Sequence, residues 1–372
     1  MLTVGTNIPT PLYARYQSEF GFSPLVVTLV FAVYAGTLIP TAMFAGALTD
    51  SVGYRRVAGP AVALAAIAAV LFCCADGVAW LFAARALQGI SVGAASGALS
   101  AALVETEPSG DRARASMLAA ATITGGGGIG PVLAGFLGEH APLPLLLTYL
   151  VELALLALAA VAVTQLPRRA RRGIWRFHPP RIPVPLRRRF ALASAVSVLG
   201  WAVVALFLAM VPSYATAILH RHDLLLAGTA AGMFLLFAAG TQYAVARTGI
   251  AGRPTAGLLL LTAGLGMLAG AGGTRSLWLF LAAAACGGAG QGITFKAALA
   301  RVNEVAPPES RAEVLSAFYM ITYLGVGLPV IGVGFLAAAT DLLTAVVTFS
   351  AVTTPACVLV AAKARATWAD TV

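Results

Sequence analysis

The chain has 372 residues, of which 59% are hydrophobic and 10% charged, with a mean hydropathy of +0.89. An ordinary globular domain carries about 25% charged residues, so the 24 basic and 14 acidic side chains here are too few to clothe a soluble fold of this length. The formal charge of +10 is not spread over a face as a nucleic-acid binder would spread it, because the basic residues crowd into short segments between apolar runs. Composition therefore excludes a soluble enzyme and a nucleic-acid-binding protein, and leaves an all-α integral membrane protein whose first partner is the lipid bilayer.

In chain order, residues 1–13 are apolar but reach only about 20 Å at 1.5 Å per residue, with Pro9 and Pro11 near the far end. They read as the outer piece of a first helix whose start is cut short. A bilayer core of about 30 Å takes roughly 20 apolar residues. That length predicts eleven full spans at 24–48, 58–75, 78–103, 113–138, 143–166, 190–219, 224–247, 254–273, 276–302, 312–339 and 341–363. The segment Leu166–Phe190, rich in arginine and proline, cannot span. It divides the chain into an N-terminal six-helix bundle (1–166), a linker (167–189), a C-terminal six-helix bundle (190–363) and a tail (364–372).

Of the 24 Lys and Arg, three (Arg15, Arg221, Arg275) fall in loops on one side, two (Arg85, Lys296) fall within spans, and the other nineteen lie on the side of the 49–57 loop. By the positive-inside rule that side is cytoplasmic, which places linker and C-terminus inside the cell in a plasma (inner) membrane. Cys73, Cys74, Cys286 and Cys357 all lie in apolar runs without metal-ligand spacing and read as packing residues, and no metal is expected.

The two halves repeat. At an offset of 199, Pro108 matches Pro307, Arg112 matches Arg311, Gly126 matches Gly325, Gly128 matches Gly327, and Gly135-Phe136-Leu137 matches Gly334-Phe335-Leu336. Two bundles in parallel orientation is the simplest reading. Pro11-Leu12-Tyr13 resembles Pro212-Ser213-Tyr214 at offset 201, which by the repeat would start the first helix about eleven residues before Met1. A misplaced start codon or a truncation would each produce this.

Three local patterns carry mechanism. The loop after the first full span holds Gly46, Leu48, Asp50, Gly53, Arg55 and Arg56, glycines for a tight turn and an acid among arginines that can make and break a charge network. The span 78–103 holds Arg85, Gln88 and Gly89, and an arginine inside a span points by default to function. The span 113–138 holds Gly126, Gly130, Pro131 and Gly135, small residues for close helix contact and a proline that frees a carbonyl.

These patterns resemble the GxLaDrxGrkr loop, the RxxQG motif and the gxxxGPxxGG motif of the major facilitator superfamily, with Ser51 standing where the loop usually has Arg and Ala134 for one Gly. The resemblance implies a fold of twelve helices in two bundles, rocking around a central cavity lined by the first, fourth, seventh and tenth helices. The third motif is similar to that of the proton-coupled drug antiporters, and Thr10-Pro11-Leu12-Tyr13 also resembles an efflux-like subgroup. It therefore implies proton-coupled export of a lipophilic or amphipathic small molecule. An uptake permease for a small neutral metabolite, or a transport-incompetent sensor, are the alternatives. An enzyme is not expected, nor any cofactor: there is no GxxxxGK[ST] loop for ATP, and the proton gradient is the implied energy source. The expected unit is a monomer.

Candidate cavity-lining residues are Gln88, Ser91, Ser96, Trp201, Phe207, Tyr214, Gln291, Thr294 and Lys296. Lys296 reads either as a side chain snorkelling to the inner surface or as a residue with a substrate or coupling role. Glu152 is the one acid well inside a span, at a depth similar to Arg85, and three readings stay open for it: a proton carrier paired or in relay with Arg85, half of a purely structural ion pair, or a side chain reaching the outer interface.

Overall fold

The computed structural model describes residues 1–108, 112–167, 182–217, 223–248, 254–307 and 311–368. The side chain of Asp50 and the arginines of 168–181 lie outside what is described, so the acidic leg of the loop motif and the basic linker have no structural account.

Two short helices, α1 (Leu2–Gly5) and α2 (Pro9–Phe20), open the chain. Eleven long helices follow: α3 (Pro24–Val52), α4 (Tyr54–Cys73), α5 (Val78–Thr106), α6 (Arg112–His140), α7 (Pro144–Gln165), α8 (Arg187–Ala217), α9 (Leu224–Thr248), α10 (Pro254–Thr274), α11 (Leu277–Val305), α12 (Arg311–Ala339) and α13 (Leu342–Trp368). All but α6 are long and apolar enough, over their described residues, to cross a membrane. Helix is the form this composition must take, because in hydrocarbon every backbone N–H and C=O needs a partner within its own segment. Large side chains such as Leu158, Val161, Val352 and Leu359 are left exposed on the outer faces, where lipid rather than water meets them.

The expected spans agree with these helices to within a few residues, but the opening segment differs. Residues 14–20, expected as a loop carrying Arg15, continue α2, and Arg15 Nε sits 3.1 Å from Glu19 one turn on.

Glycine sets how the helices meet, through spaced pairs that let backbones touch. On α5, Gly89 and Gly93 lie against the α3 backbone at Tyr34 and Leu38, and at offset 199 Gly288 and Gly292 of α11 lie against the α9 backbone at Phe234 and Ala238. None of these four positions has room for a Cβ. Helices α6 and α12 repeat the same double role. Gly126 packs on α1 and Gly325 on α8, the first helix of each half. Gly128 and Gly135 pack on α9, and Gly327 and Gly334 on α3, so each of these faces meets the opposite half at the helix that follows its opening one, α1–α2 counting as one. The sequence repeat is thus a repeat of packing.

Contact between the halves is concentrated towards one end. Gly135 meets Leu224 and Gly228, Gly128 meets Gly232, and Gly334 meets Thr28. Among the described residues, Ser213 Oγ donates to Gln17 Oε1 at 3.1 Å there, and the Leu224 N–H at the start of α9 donates to Glu139 Oε2 at 2.8 Å. Towards the other end, where the loop with Gly53 and Arg55 lies, α3 and α12 part around a cavity of about 310 Å³.

Candidate functional site

The site begins with two prolines. In an unbroken helix the carbonyls of Gly5 and Asn7 would accept from residues 9 and 11, but Pro9 and Pro11 have no N–H to give. The chain responds with a break at Thr6–Ile8: Ile8 N–H turns to Gly5 O at 3.2 Å and Thr10 N–H to Asn7 O at 3.1 Å, which strips Thr6 O of its own helical partner.

Helix α5 supplies what the prolines remove. Gln88 Nε2 donates to Gly5 O at 2.9 Å, and Arg85 Nη1 donates to Thr6 O at 2.8 Å. The two side chains are three residues apart on one face of α5, and Arg85 Nη1 also donates to Gln88 Oε1 at 2.7 Å. Arg85 Nε donates to the Tyr13 hydroxyl at 2.6 Å. Asn7 Nδ2 bonds Gly127 O on α6 at 3.1 Å, pinning the break from the other side. Gly126 and Gly130 let α1 approach so closely that a Cβ at either would overlap it.

Arg85 is completely buried. Its guanidinium carbon stands 5.6 Å from the Tyr13 ring centroid, 5.5 Å from Phe31 and 5.1 Å from Tyr34, so three aromatic faces stabilise the cation. Its Nη2 has no hydrogen-bond partner. Glu152, 3% exposed on α7, comes up to the same break, and a Cβ on Gly5 would overlap its carboxylate. Glu152 Oε2 also has no partner. The direct Arg85–Glu152 contact allowed by the sequence is not formed: within 4 Å, the ion pairs shown among the described residues are Arg15–Glu19 and Arg301–Glu304. A buried carboxylate and a buried guanidinium therefore flank one helix break, each with a hydrogen-bonding position unused.

Among the described residues the walls of the inter-bundle cavity carry no charged side chain. Ser96, Ser100, Ser316, Tyr319 and Tyr323 supply hydroxyls, and Ile39, Met43, Ile123 and Met320 supply apolar surface. Of the expected lining residues, Ser96 is on this wall. Trp201 stands behind it, its ring 6.0 Å from that of Tyr323. Gln88 belongs to the helix-break cluster, and Ser91 is turned to α4, donating to Ala61 O at 2.7 Å.

The C-terminal candidates divide further. Phe207 and Tyr214 sit in the core of the second half: Phe207 packs on Phe234 at 4.6 Å, while Tyr214 stacks on Phe280 and donates to Leu268 O at 2.8 Å. Thr294 is buried where a Cβ on Gly200 or Gly257 would meet it. Gln291 is buried with both amide atoms unpartnered, and Lys296 is half-buried. In the loop motif, Gly53 takes φ +87°, where only glycine is unstrained, and its N–H donates to Thr49 O at 2.9 Å to end α3. Arg55 Nη1 reaches Leu166 O at 3.4 Å, tying this turn to the end of α7, while Leu48 and Arg56 are exposed and Gly46 faces open space.

Sequence reasoning did not find Tyr13, Tyr34 or the carbonyls of Gly5 and Thr6. The signal available was the pair Pro9 and Pro11, which orphan the carbonyls of Gly5 and Asn7 four residues earlier; that Thr6 O is the one left bare follows only from the turn of the Thr10 N–H to Asn7 O.

Among solved structures the chain resembles a bacterial homolog of the human lysosomal transporter Spinster, in inward-facing unoccupied and inward-facing occupied conformations. The TM-scores are 0.70 and 0.69, each at 16% identity and covering 99% of this chain and 93% of that one. No curated protein sequence matches. The sequence model of the Major Facilitator Superfamily matches residues 1–330, and with two six-helix halves related by a packing repeat, the chain belongs to that superfamily.

Proposed function

We propose that this transporter exports lipophilic or amphipathic small molecules in exchange for protons, with Glu152 as the proton carrier and Arg85 as the residue that positions it. The observation that carries this reading is the unpartnered Oε2 of a buried carboxylate beside a helix break held by a buried arginine. An acid with no hydrogen-bond partner in a dry site can take up a proton without first breaking a contact, and can release it when the Arg85 guanidinium draws near. Three aromatic faces hold that guanidinium meanwhile, so neither state leaves an uncompensated charge in the bilayer.

The described cavity walls, which carry hydroxyls and apolar surface and no charge, suit an apolar or amphipathic solute rather than a sugar phosphate or dicarboxylate. By the positive-inside rule the Arg55 end faces the cytoplasm of a plasma membrane, so the cavity takes its load from inside. The monomer is complete for this purpose, because cavity and carboxylate lie in one chain.

The test is exclusion of the neutral lipophilic dye Nile red from efflux-deficient cells, before and after the proton gradient is collapsed. Wild-type chain is expected to hold dye below the vector control only while the gradient stands. Glu152→Gln is expected to lose that exclusion at equal expression. Full gradient-driven export by Glu152→Gln overturns the carrier role, and dye accumulation above the control means uptake instead.

A further inference from the structure

Gln291 on α11 is 1% exposed, and neither its Nε2 nor its Oε1 has a hydrogen-bond partner. Its stem packs on α8 at Gly200, where a built Cβ would lie 3.7 Å from Gln291 Cγ. The next residue of α8 is Trp201, whose Nε1 is likewise shut off from solvent without a partner. The indole leans edge-on against Phe295, 5.7 Å away and one turn beyond Gln291 on α11, and against Tyr323 at 6.0 Å. Tyr323 in turn lines the inter-bundle cavity. Two donors and one acceptor are therefore gathered at the α8–α11 seam, one aromatic ring away from that cavity.

Such groups are rare in natural interiors, and each needs an explanation. Crowding alone is not one: Ser194 Oγ of α8 is also unpartnered, but Ser197 pairs with Thr322 at 2.9 Å, and Thr294 donates to Gly290 O and Gln291 O at 3.0 Å. Lys296 does not supply one either, since five residues along a helix turn it about 140° from Gln291. In the other half the amide of Gln88 is engaged at both ends, although at offset 199 the position matching Gln291 is Val92. What the seam lacks is a partner from outside the chain.

We propose that Gln291 and Trp201 are the specificity-determining contacts of the transported substrate, and that this substrate is a small uncharged aromatic molecule presenting a donor beside an acceptor on one edge, as a lactam or a primary amide does. A primary amide meets such an edge with two parallel hydrogen bonds, its Oε1 accepting and its Nε2 donating. The indole N–H then takes the second lone pair of the ligand carbonyl, and the rings of Trp201, Phe295 and Tyr323 supply stacking surface. A cavity of about 310 Å³ is at the small end of small-molecule sites, which limits the ligand to a few fused rings. The assignment rests on the transport reading but not on Glu152.

The test is isothermal titration calorimetry on the full chain in detergent, with 2-quinolone and N-methyl-2-quinolone, which differ by the lactam donor. Wild-type protein is expected to bind 2-quinolone at least tenfold more tightly than its N-methyl form, because the latter leaves the Gln291 oxygen buried and unmet. Gln291→Leu is expected to bring that preference below twofold. Trp201→Phe, which keeps an aromatic ring in the stack and removes the N–H together with part of the indole surface, is expected to weaken both ligands severalfold while keeping the preference; it stays informative if Gln291→Leu fails to fold. Absence of binding, equal affinity of the two ligands for wild-type protein, a preference intact in Gln291→Leu, or unchanged affinities in Trp201→Phe would overturn the proposal. Nile red exclusion separates the two readings: export intact with no lactam preference sinks this one alone, and preference intact with no gradient-driven export sinks the transport reading alone.

Discussion

Arg85 is buried without a touching carboxylate, and what replaces one is a set of oxygens and rings that other residues made available. Pro9 and Pro11 free the carbonyls, and Arg85 with Gln88 re-satisfies them, so arginine and prolines form one unit. Lysine cannot stand in, since its compact ammonium lacks the planar fork that reaches Tyr13, Thr6 and Gln88 at once. Arg85→Lys is therefore expected to leave at least one buried acceptor unmet, at about 1–3 kcal/mol, and to lower the unfolding temperature in detergent. Gln88→Leu should also lower it, by removing the acceptor of Arg85 Nη1 and leaving Gly5 O with the Ile8 N–H alone. Because the two share one network, the double variant should lose less than the sum of the singles. Strict additivity in a thermal-shift series would show that the break is held by something else.

At the surface, Asp341 precedes α13 and accepts from the Thr344 hydroxyl and from the Thr344 N–H at 2.9 Å. These bonds, the hydroxyl's first, hold its carboxyl below the usual carboxylate value. A depressed folded value means that the stability it contributes is present above the unfolded value and is lost as pH falls through the folded one. Asp341→Asn is thus expected to flatten the acid limb of the stability curve, read by thermal unfolding between about pH 5 and 2, and an unchanged limb would remove Asp341 from that account.

At the scale of the element, α6 does two jobs with one glycine-rich sequence. Gly126 and Gly130 admit the broken first helix, while Gly128 and Gly135 admit α9, where Gly228 and Gly232 answer them. A Cβ on Gly228 would overlap Pro131 O, a backbone atom that cannot turn aside. Gly228→Leu is expected to force α9 off α6 and open the Glu139 end of the interface. The rise would be seen as faster labelling of a cysteine placed at Thr28, in a chain freed of its own cysteines. No change in labelling would mean that the glycine pairs are spacing rather than closure.

Elements of this kind were legible in the sequence to unequal degrees. The long helices could be read because a bilayer dictates both length and composition, and the ends of α5 or α10 leave little choice. Arg85 stood out because a cation in a span is costly. The lining of the cavity could not be read in the same way. Helix α8 is buried on nearly all sides, so no polar face distinguishes Trp201, which looks towards the cavity, from Phe207 and Tyr214, which look into the core. Residues 14–20 were mistaken for a loop because Arg15 and Glu19 look like loop charges until their i,i+4 pairing on one helix face is seen.

For the whole molecule, the packing repeat and the unequal closure of its two ends belong together. Two like halves that meet through α6–α9 and α12–α3 can pivot, because the same small-residue seams run along both contacts. In this structure the pivot rests with the Glu139 end closed and the cavity at the Arg55 end. Alternating access then requires the contact between Gly334 and Thr28 to separate in every cycle. A Cβ built on Gly334 lies 2.8 Å from Thr28 Cβ, closer than the roughly 3.8 Å of a disulfide, so a shift of about an ångström suffices to link them. With the four native cysteines replaced, Thr28→Cys with Gly334→Cys is expected to cross-link under mild oxidation and to stop Nile red export. Reductant should restore it, and Thr28→Cys alone should transport in both conditions. Export that continues through a quantitatively formed cross-link would show that the halves do not part along this seam, and the pivot would have to be sought elsewhere in the fold.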